Sequence, residues 1–84
     1  WDGSTLSGYN VVFFPLVDTS NLTTAYEAFK NCNKLATIAL LNTSKVTNMY
    51  GMFNGCSNLY SIPEFDTSRV INMGYMFYSC SSLF

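Results

Sequence analysis

Three cysteines, four methionines and five carboxylates are the residues of this chain with chemistry to offer. Cys32, Cys56 and Cys80 stand 24 residues apart. Zinc sites use closely spaced cysteine pairs, often joined by histidine, and this chain has no histidine. Met49, Met52, Met73 and Met76 could serve a soft metal or a flexible binding surface, but their helical spacing beside Phe53 and Phe77 favours a core. Asp18 and Asp66 suggest a calcium ladder, yet Asn42 interrupts it and the dense carboxylates of calcium repeats are missing, so a turn role is favoured. Without histidine the usual general base is absent, and Asp2, Asp18, Glu27, Glu64 and Asp66 show no paired arrangement. There is no glycine-rich phosphate loop. The sequence therefore predicts no enzyme, no cofactor and no metal.

What must position these residues is a repeat. "DTS" at 18–20 returns as "NTS" at 42–44 and "DTS" at 66–68, a step of 24 with no gap. Phe29, Phe53 and Phe77 then share a column, as do Cys32, Cys56 and Cys80, and Leu35, Leu59 and Leu83. Leu22, Val46 and Val70 align, as do Ala25, Met49 and Met73, and Ala28, Met52 and Met76. One such unit cannot bury its own apolar stripe, whereas stacked copies bury each other's. Stacked strands would lie about 4.8 Å apart. That spacing permits a disulfide between neighbouring cysteine columns, with one thiol left over; the favoured reading is small buried hydrophobes.

Within the second unit, Met49, Met52, Phe53 and Cys56 follow i, i+3, i+4, i+7, which predicts one face of a short helix. Asn48 is placed to cap it, and Thr24 with Glu27 forms a capping-box pattern in the first unit. Gly55 stands where the helix would end, with Asn31 and Ser79 in the same column. "LYSIPEF" at 59–65 reads as a short strand closed by Pro63, and the "DTS" stretch as a return turn.

Composition narrows the class. The net charge is −1, charged residues make up 11%, aromatics 17% and hydrophobics 49%. That is too apolar for disorder and too weakly charged for a nucleic-acid partner. The longest apolar run, "NVVFFPLV" at 10–17, is broken by Pro15 and is too short for direct membrane insertion. No signal peptide is visible, and the chain opens at Trp1 without an initiator Met, which reads as a fragment of something longer. By register, a strand following Leu83 is incomplete and no polar cap closes it.

The phrase "TSKVTNMYGMFNGCSNLYSIPEFDTSRV" resembles the BspA-like leucine-rich repeats, specifically the mycoplasma lipoprotein-associated type, through its Thr-Asn-Met, Met-Phe, Gly-Cys-Ser and Leu positions. The resemblance covers most of the chain and is weakest in the first unit, where Ala25 and Ala28 replace methionines. The expected fold is an α/β leucine-rich-repeat solenoid fragment of about three and a half 24-residue units, each a short helix plus a short parallel strand. Residues 18–41, 42–65 and an incomplete 66–84 are its units, and residues 1–17 are an N-terminal cap or the end of a preceding unit.

The resemblance implies a surface or secreted protein of a bacterium, phage or protist that binds other macromolecules, with no catalytic residues to transfer. Columns that change between copies should face solvent, and several hold tyrosine, which is enriched at interfaces. Candidate contacts are Tyr26, Tyr50, Tyr75 and Tyr78 on the helical side and Tyr60, Ser61 and Glu64 on the strand side. The plainer alternative is that these tyrosines only cover the edges of the stack. The expected core is Phe29, Phe53, Phe77, Cys32, Cys56, Cys80, Met49, Met52, Met73, Met76, Leu35, Leu59 and Leu83. The expected role is a noncatalytic module of an adhesin, recognising a protein or glycan. The rival is a structural module of a phage virion or surface array, packed against neighbouring subunits. The sequons at Asn21 and Asn42 matter only in a eukaryotic secretory source.

Overall fold

The computed structural model describes residues 1–83. Phe84, the expected first residue of the incomplete strand after Leu83 and one of the columns expected to face solvent, lies outside the described residues. Among the described residues there is no helix, and two strands of two residues each: β1 (Phe13–Phe14) and β2 (Thr37–Ile38). The expected α/β leucine-rich-repeat solenoid, with a helix and a strand in every unit, is thereby overturned.

The reason lies in where the backbone N–H groups point. In a helix each would donate four residues back. Here the N–H groups of Ala25, Glu27, Phe29 and Asn31 donate to the carbonyls of Asn48, Tyr50, Met52 and Asn54 at 2.7–2.8 Å. One unit later, Met49, Gly51, Phe53 and Gly55 donate to Asn72, Gly74, Met76 and Tyr78 at 2.8–2.9 Å. The chain therefore winds into coils hydrogen-bonded to their neighbours at an offset of about one repeat. Isolated parallel bridges join Thr24 to Asn48 and Asn48 to Asn72.

Within each coil the residues form consecutive four-residue turns. Met52 N–H donates to Met49 C=O and Cys56 N–H to Phe53 C=O, at 3.1 and 3.0 Å. The third residue of each turn has positive φ, as a type II turn requires: Gly51 at 61° and Gly55 at 84°. Glu27 and Asn31 take the same conformation in the coil before, Tyr75 and Ser79 in the coil after. A non-glycine residue there costs on the order of 1 kcal/mol. The first and last residues of the two turns are 49, 52, 53 and 56, all buried. Paired turns thus place inward the same four positions that a helix would. The capping box is absent as well: the Thr24 hydroxyl accepts from Tyr26 N–H at 3.2 Å, and Glu27 pairs with Lys30 at 3.2 Å.

On the opposite flank, β1 and β2 pair in parallel with Phe13 facing Thr37 and Phe14 facing Ile38. The hydrogen bonds run the other way, with Ala36 N–H donating to Val12 C=O at 2.7 Å and Ala39 N–H to Phe14 C=O at 3.0 Å. The predicted strand at 59–65 does not form. Tyr60 N–H still donates to Ala36 C=O at 3.1 Å, but the residue equivalent to Ala39 is Pro63, which has no N–H to give.

The core is a set of columns. Phe29 and Phe53 stack at 5.6 Å and Phe53 and Phe77 at 5.9 Å, with planes within 8° of parallel. Phe14 meets Phe29 edge-on at 4.8 Å, and Trp1 lies 5.4 Å from both rings. Phe29, Phe53, Cys32, Cys56, Met49, Met52, Met76, Leu35 and Leu59 are buried, and Cys80 and Leu83 are partly so. Met73 and Phe77 depart from the expected core: they are 46% and 36% exposed. They lie in the last described coil, with no further coil on their outer side among the described residues.

Candidate functional site

Each return turn is built in two parts. The first side chain closes it: the Ser20, Ser44 and Ser68 N–H groups donate to Oδ1 of Asp18, Asn42 and Asp66 at 2.9–3.1 Å. Asp18 and Asp66 are thereby occupied with local backbone, and the hydrogen bonds from Ser20 and Ser68 hold both carboxyls below their ordinary value of 3.8. The middle threonine ties coil to coil. Thr19 Oγ1 accepts from Asn42 N–H at 2.8 Å and donates to Asn42 C=O at 3.1 Å, and Thr43 O–H donates to Asp66 C=O at 2.8 Å. Both threonines are buried. Their polarity hid them from a reading that searched for apolar columns; their identity at a fixed 24-residue step was the available signal.

The cysteines carry no metal geometry. Among the described residues no group of three His, Cys, Asp or Glu side chains could hold an ion. All three are free thiols, and each donates to a carbonyl of the preceding layer: Cys32 to Leu6 at 3.3 Å, Cys56 to Phe29 at 3.0 Å and Cys80 to Phe53 at 3.1 Å. The neighbouring Cys32 thiol and burial push the Cys56 pKa up, and burial raises that of Cys80. Both stay protonated as donors, which suits a tie between layers and not a nucleophile.

Four of the seven candidate contact residues come together. Tyr26 and Tyr50 stack at 5.5 Å, Tyr50 meets Tyr75 edge-on at 5.7 Å, and Tyr75 meets Tyr78 edge-on at 5.4 Å. Tyr26, Tyr75 and Tyr78 are about half exposed or more, and Tyr50 is partly covered by its neighbours. Turn geometry makes this row: Tyr26, Tyr50 and Tyr78 are second residues of turns and Tyr75 a third, positions that project away from the core. Tyr60, Ser61 and Glu64 are exposed too, but Tyr60 makes no ring contact with the row among the described residues.

A second feature lies beyond the ends of β1 and β2. Leu16 and Leu40 are 75% and 55% exposed and flank a groove of about 580 Å³ that runs onto the turn at 18–20. Val12 and Phe13 are exposed as well, and the sequence reading named none of these four residues. Glu64, in the column of Leu16 and Leu40, was the clue that this column faces outward. Among the described residues no helix is long and apolar enough to cross a membrane.

A protein-family model described as "Mycoplasma protein of unknown function, DUF285" matches residues 14–84, and the chain belongs to that family. No curated protein and no solved structure matches it.

Proposed function

We propose that this member of the family is a noncatalytic module that binds other macromolecules, a protein or glycan on another surface, as part of a cell-surface or secreted adhesin. The observation that carries this reading is the exposed tyrosine row formed by residues 26, 50, 75 and 78. Tyrosine offers large contact area with two side-chain torsions to fix and a hydroxyl for hydrogen bonding, so it binds at low entropic cost. The row is held in place by coil-to-coil hydrogen bonds, which limits the ordering cost further. The three cysteines and the two turn aspartates are already engaged in structural hydrogen bonds. The finer assignment, to BspA-like repeats of the mycoplasma lipoprotein-associated type, rests on the motif alone.

The test is binding of the folded chain to immobilised matrix proteins and to a glycan array, with Tyr75→Ser/Tyr78→Ser and Tyr60→Ala as variants. Loss of the outer tyrosine pair is expected to weaken capture about tenfold or more. Unchanged capture by the double variant, with its fold intact, would remove the tyrosine row from the proposal. A structural role in a phage virion or surface array is the second reading, favoured by the exposed Leu16 and Leu40 beside the groove at the 18–20 turn. A chain with no affinity for any host surface molecule, found packed against other subunits, would support it instead.

A further inference from the structure

The cysteine column holds its thiols one layer apart. Beside Cys32, Asn31 N–H donates to Asn54 C=O of the next coil at 2.7 Å. Equivalent residues of hydrogen-bonded layers lie about 4.8 Å apart, inside the roughly 4.4–6.8 Å that a disulfide spans between α-carbons. The Cys56 thiol already reaches into the layer of Cys32. It donates to Phe29 C=O at 3.0 Å, the same carbonyl that takes Cys32 N–H at 3.1 Å. The Cys32 thiol leans the other way, onto Leu6 C=O at 3.3 Å, in the segment that covers the first coil. Neither carbonyl depends on its thiol: Leu6 C=O keeps Tyr9 N–H at 2.8 Å, and Phe29 C=O keeps Cys32 N–H. Both sulfurs can therefore lose their protons without orphaning a buried acceptor. The segment above Cys32 is lightly held, by Thr5 Oγ1 on Glu27 C=O, Leu6 N–H on Ala28 C=O and Gly8 N–H on Lys30 C=O, with Ser7 and Gly8 exposed. Such a segment opens at low free-energy cost and uncovers Cys32.

We propose that Cys32 and Cys56 are a thiol–disulfide pair whose oxidation exchanges the tie between Cys32 and Leu6 for a covalent staple between two coils. The oxidant is a low-molecular-weight disulfide. The Cys32 thiolate attacks one of its sulfurs, forming a mixed disulfide and releasing one thiolate, which takes the proton of Cys56. The Cys56 sulfur then attacks the Cys32 sulfur, closing the Cys32–Cys56 bond and expelling the second thiolate. The pair loses two electrons and two protons, and the reagent leaves as two thiols. The step from Cys56 to Cys80 repeats the geometry, with the Cys80 thiol and Cys56 N–H both on Phe53 C=O. Acidity separates the two pairs. A hydrogen bond from the Cys56 thiol, joined by the Tyr9 and Gly8 amides, lowers Cys32 to about 7 against the effect of burial, whereas burial raises Cys80. The thiolate is the attacking form, so Cys32 reacts first and Cys80 stays free. The proposal is independent of the tyrosine row and of any surface ligand.

The probe is oxidised glutathione, added to the folded 84-residue chain, with the products read by mass spectrometry after alkylation of the remaining thiols. Trypsin cuts after Lys30, Lys34, Lys45 and Arg69, so the three cysteines leave in different peptides and each linkage is distinguishable. A chain lighter by two hydrogens, with the Cys32 and Cys56 peptides linked and Cys80 alkylated, is expected. Cys56→Ser should stop at the mixed disulfide on Cys32, and Cys80→Ser should oxidise as the parent does. In the linked form the Leu6 and Gly8 amides should exchange hydrogen at least about threefold faster than in the reduced chain. A Cys56–Cys80 link in place of the expected one overturns the proposal. So do thiols that react only as fast as the whole chain unfolds, a fate measured on the parent and needing no variant to fold. A linked form whose Leu6 and Gly8 amides keep the reduced chain's exchange rates overturns it as well.

Discussion

The first and the last described coils use the same residue types and are covered differently. At the amino end, residues 1–9 lie over the first coil. Leu6 N–H donates to Ala28 C=O at 2.7 Å, Gly8 N–H to Lys30 C=O at 3.0 Å and the Thr5 hydroxyl to Glu27 C=O at 2.7 Å. Gly3 passes so close to the Thr24 carbonyl that no β-carbon would fit there, and its φ of 87° suits glycine alone. Trp1 covers Phe14 and Phe29, and Phe29 is fully buried. At the other end Phe77, in the same column, stands open. Burial in this molecule belongs to the neighbouring coil and not to the residue: identical phenylalanines are core or surface according to what lies on their outer face.

That contrast can be broken by mutation. Phe53→Ala, at a fully buried ring with stacked partners on both sides, should cost about 3–5 kcal/mol and unfold the chain or sharply lower its melting temperature. Phe77→Ala should cost roughly 1 kcal/mol, because a partly exposed side chain has less to lose. Equal losses in urea unfolding would deny that position in the stack decides burial. Trp1→Ala uncovers the sealed end and should cost about 2 kcal/mol, with a matching rise in the hydrogen-exchange rate at Leu6 and Gly8. The threonine column sharpens the comparison on polar ground. Thr43→Val leaves Asp66 C=O without its donor and should cost about 1–2 kcal/mol, whereas Thr67→Val, at the exposed turn, should stay within about 0.5 kcal/mol of the parent in thermal melts.

The smallest effect is a pH dependence. Asp18 and Asp66 have carboxyls lowered in the folded state, so the unfolded chain takes up protons first as pH falls. Their contribution is fully present above 3.8 and fades as pH drops through the folded values. Asp18→Asn/Asp66→Asn, which makes both turns resemble the Asn42 turn, should flatten the acid limb of a melting-temperature profile. An unaltered acid limb would show that these turns do not set it.

Much of the arrangement was readable before any coordinates. The 24-residue step shows which phenylalanines, cysteines and leucines share a column, and the phenylalanine column is continuous. The helix was misread because paired turns and a helix direct positions 49, 52, 53 and 56 inward alike; periodicity cannot separate them. Gly51 and Gly55, four residues apart inside the supposed helix, were the one local sign of left-handed backbone. The strand at 59–65 failed because Pro63 removes a donor the ladder needs, an effect visible only once Ala39 is seen to supply it. The tyrosine row came from comparing columns, but the ring contact between Tyr75 and Tyr78 did not, since they occupy different columns of the same coil.

The two flanks of each coil aim their peptide groups in opposite senses. On the tyrosine flank the N–H groups of Glu27 and Phe29 point toward the carboxyl end, whereas on the strand flank those of Ala36 and Ala39 point toward the amino end. Their dipoles oppose one another across the coil, in contrast to the additive alignment of a long helix. Lengthening such a pile therefore adds axial field more slowly than lengthening a helix does, because four N–H groups per coil point one way and two or three the other.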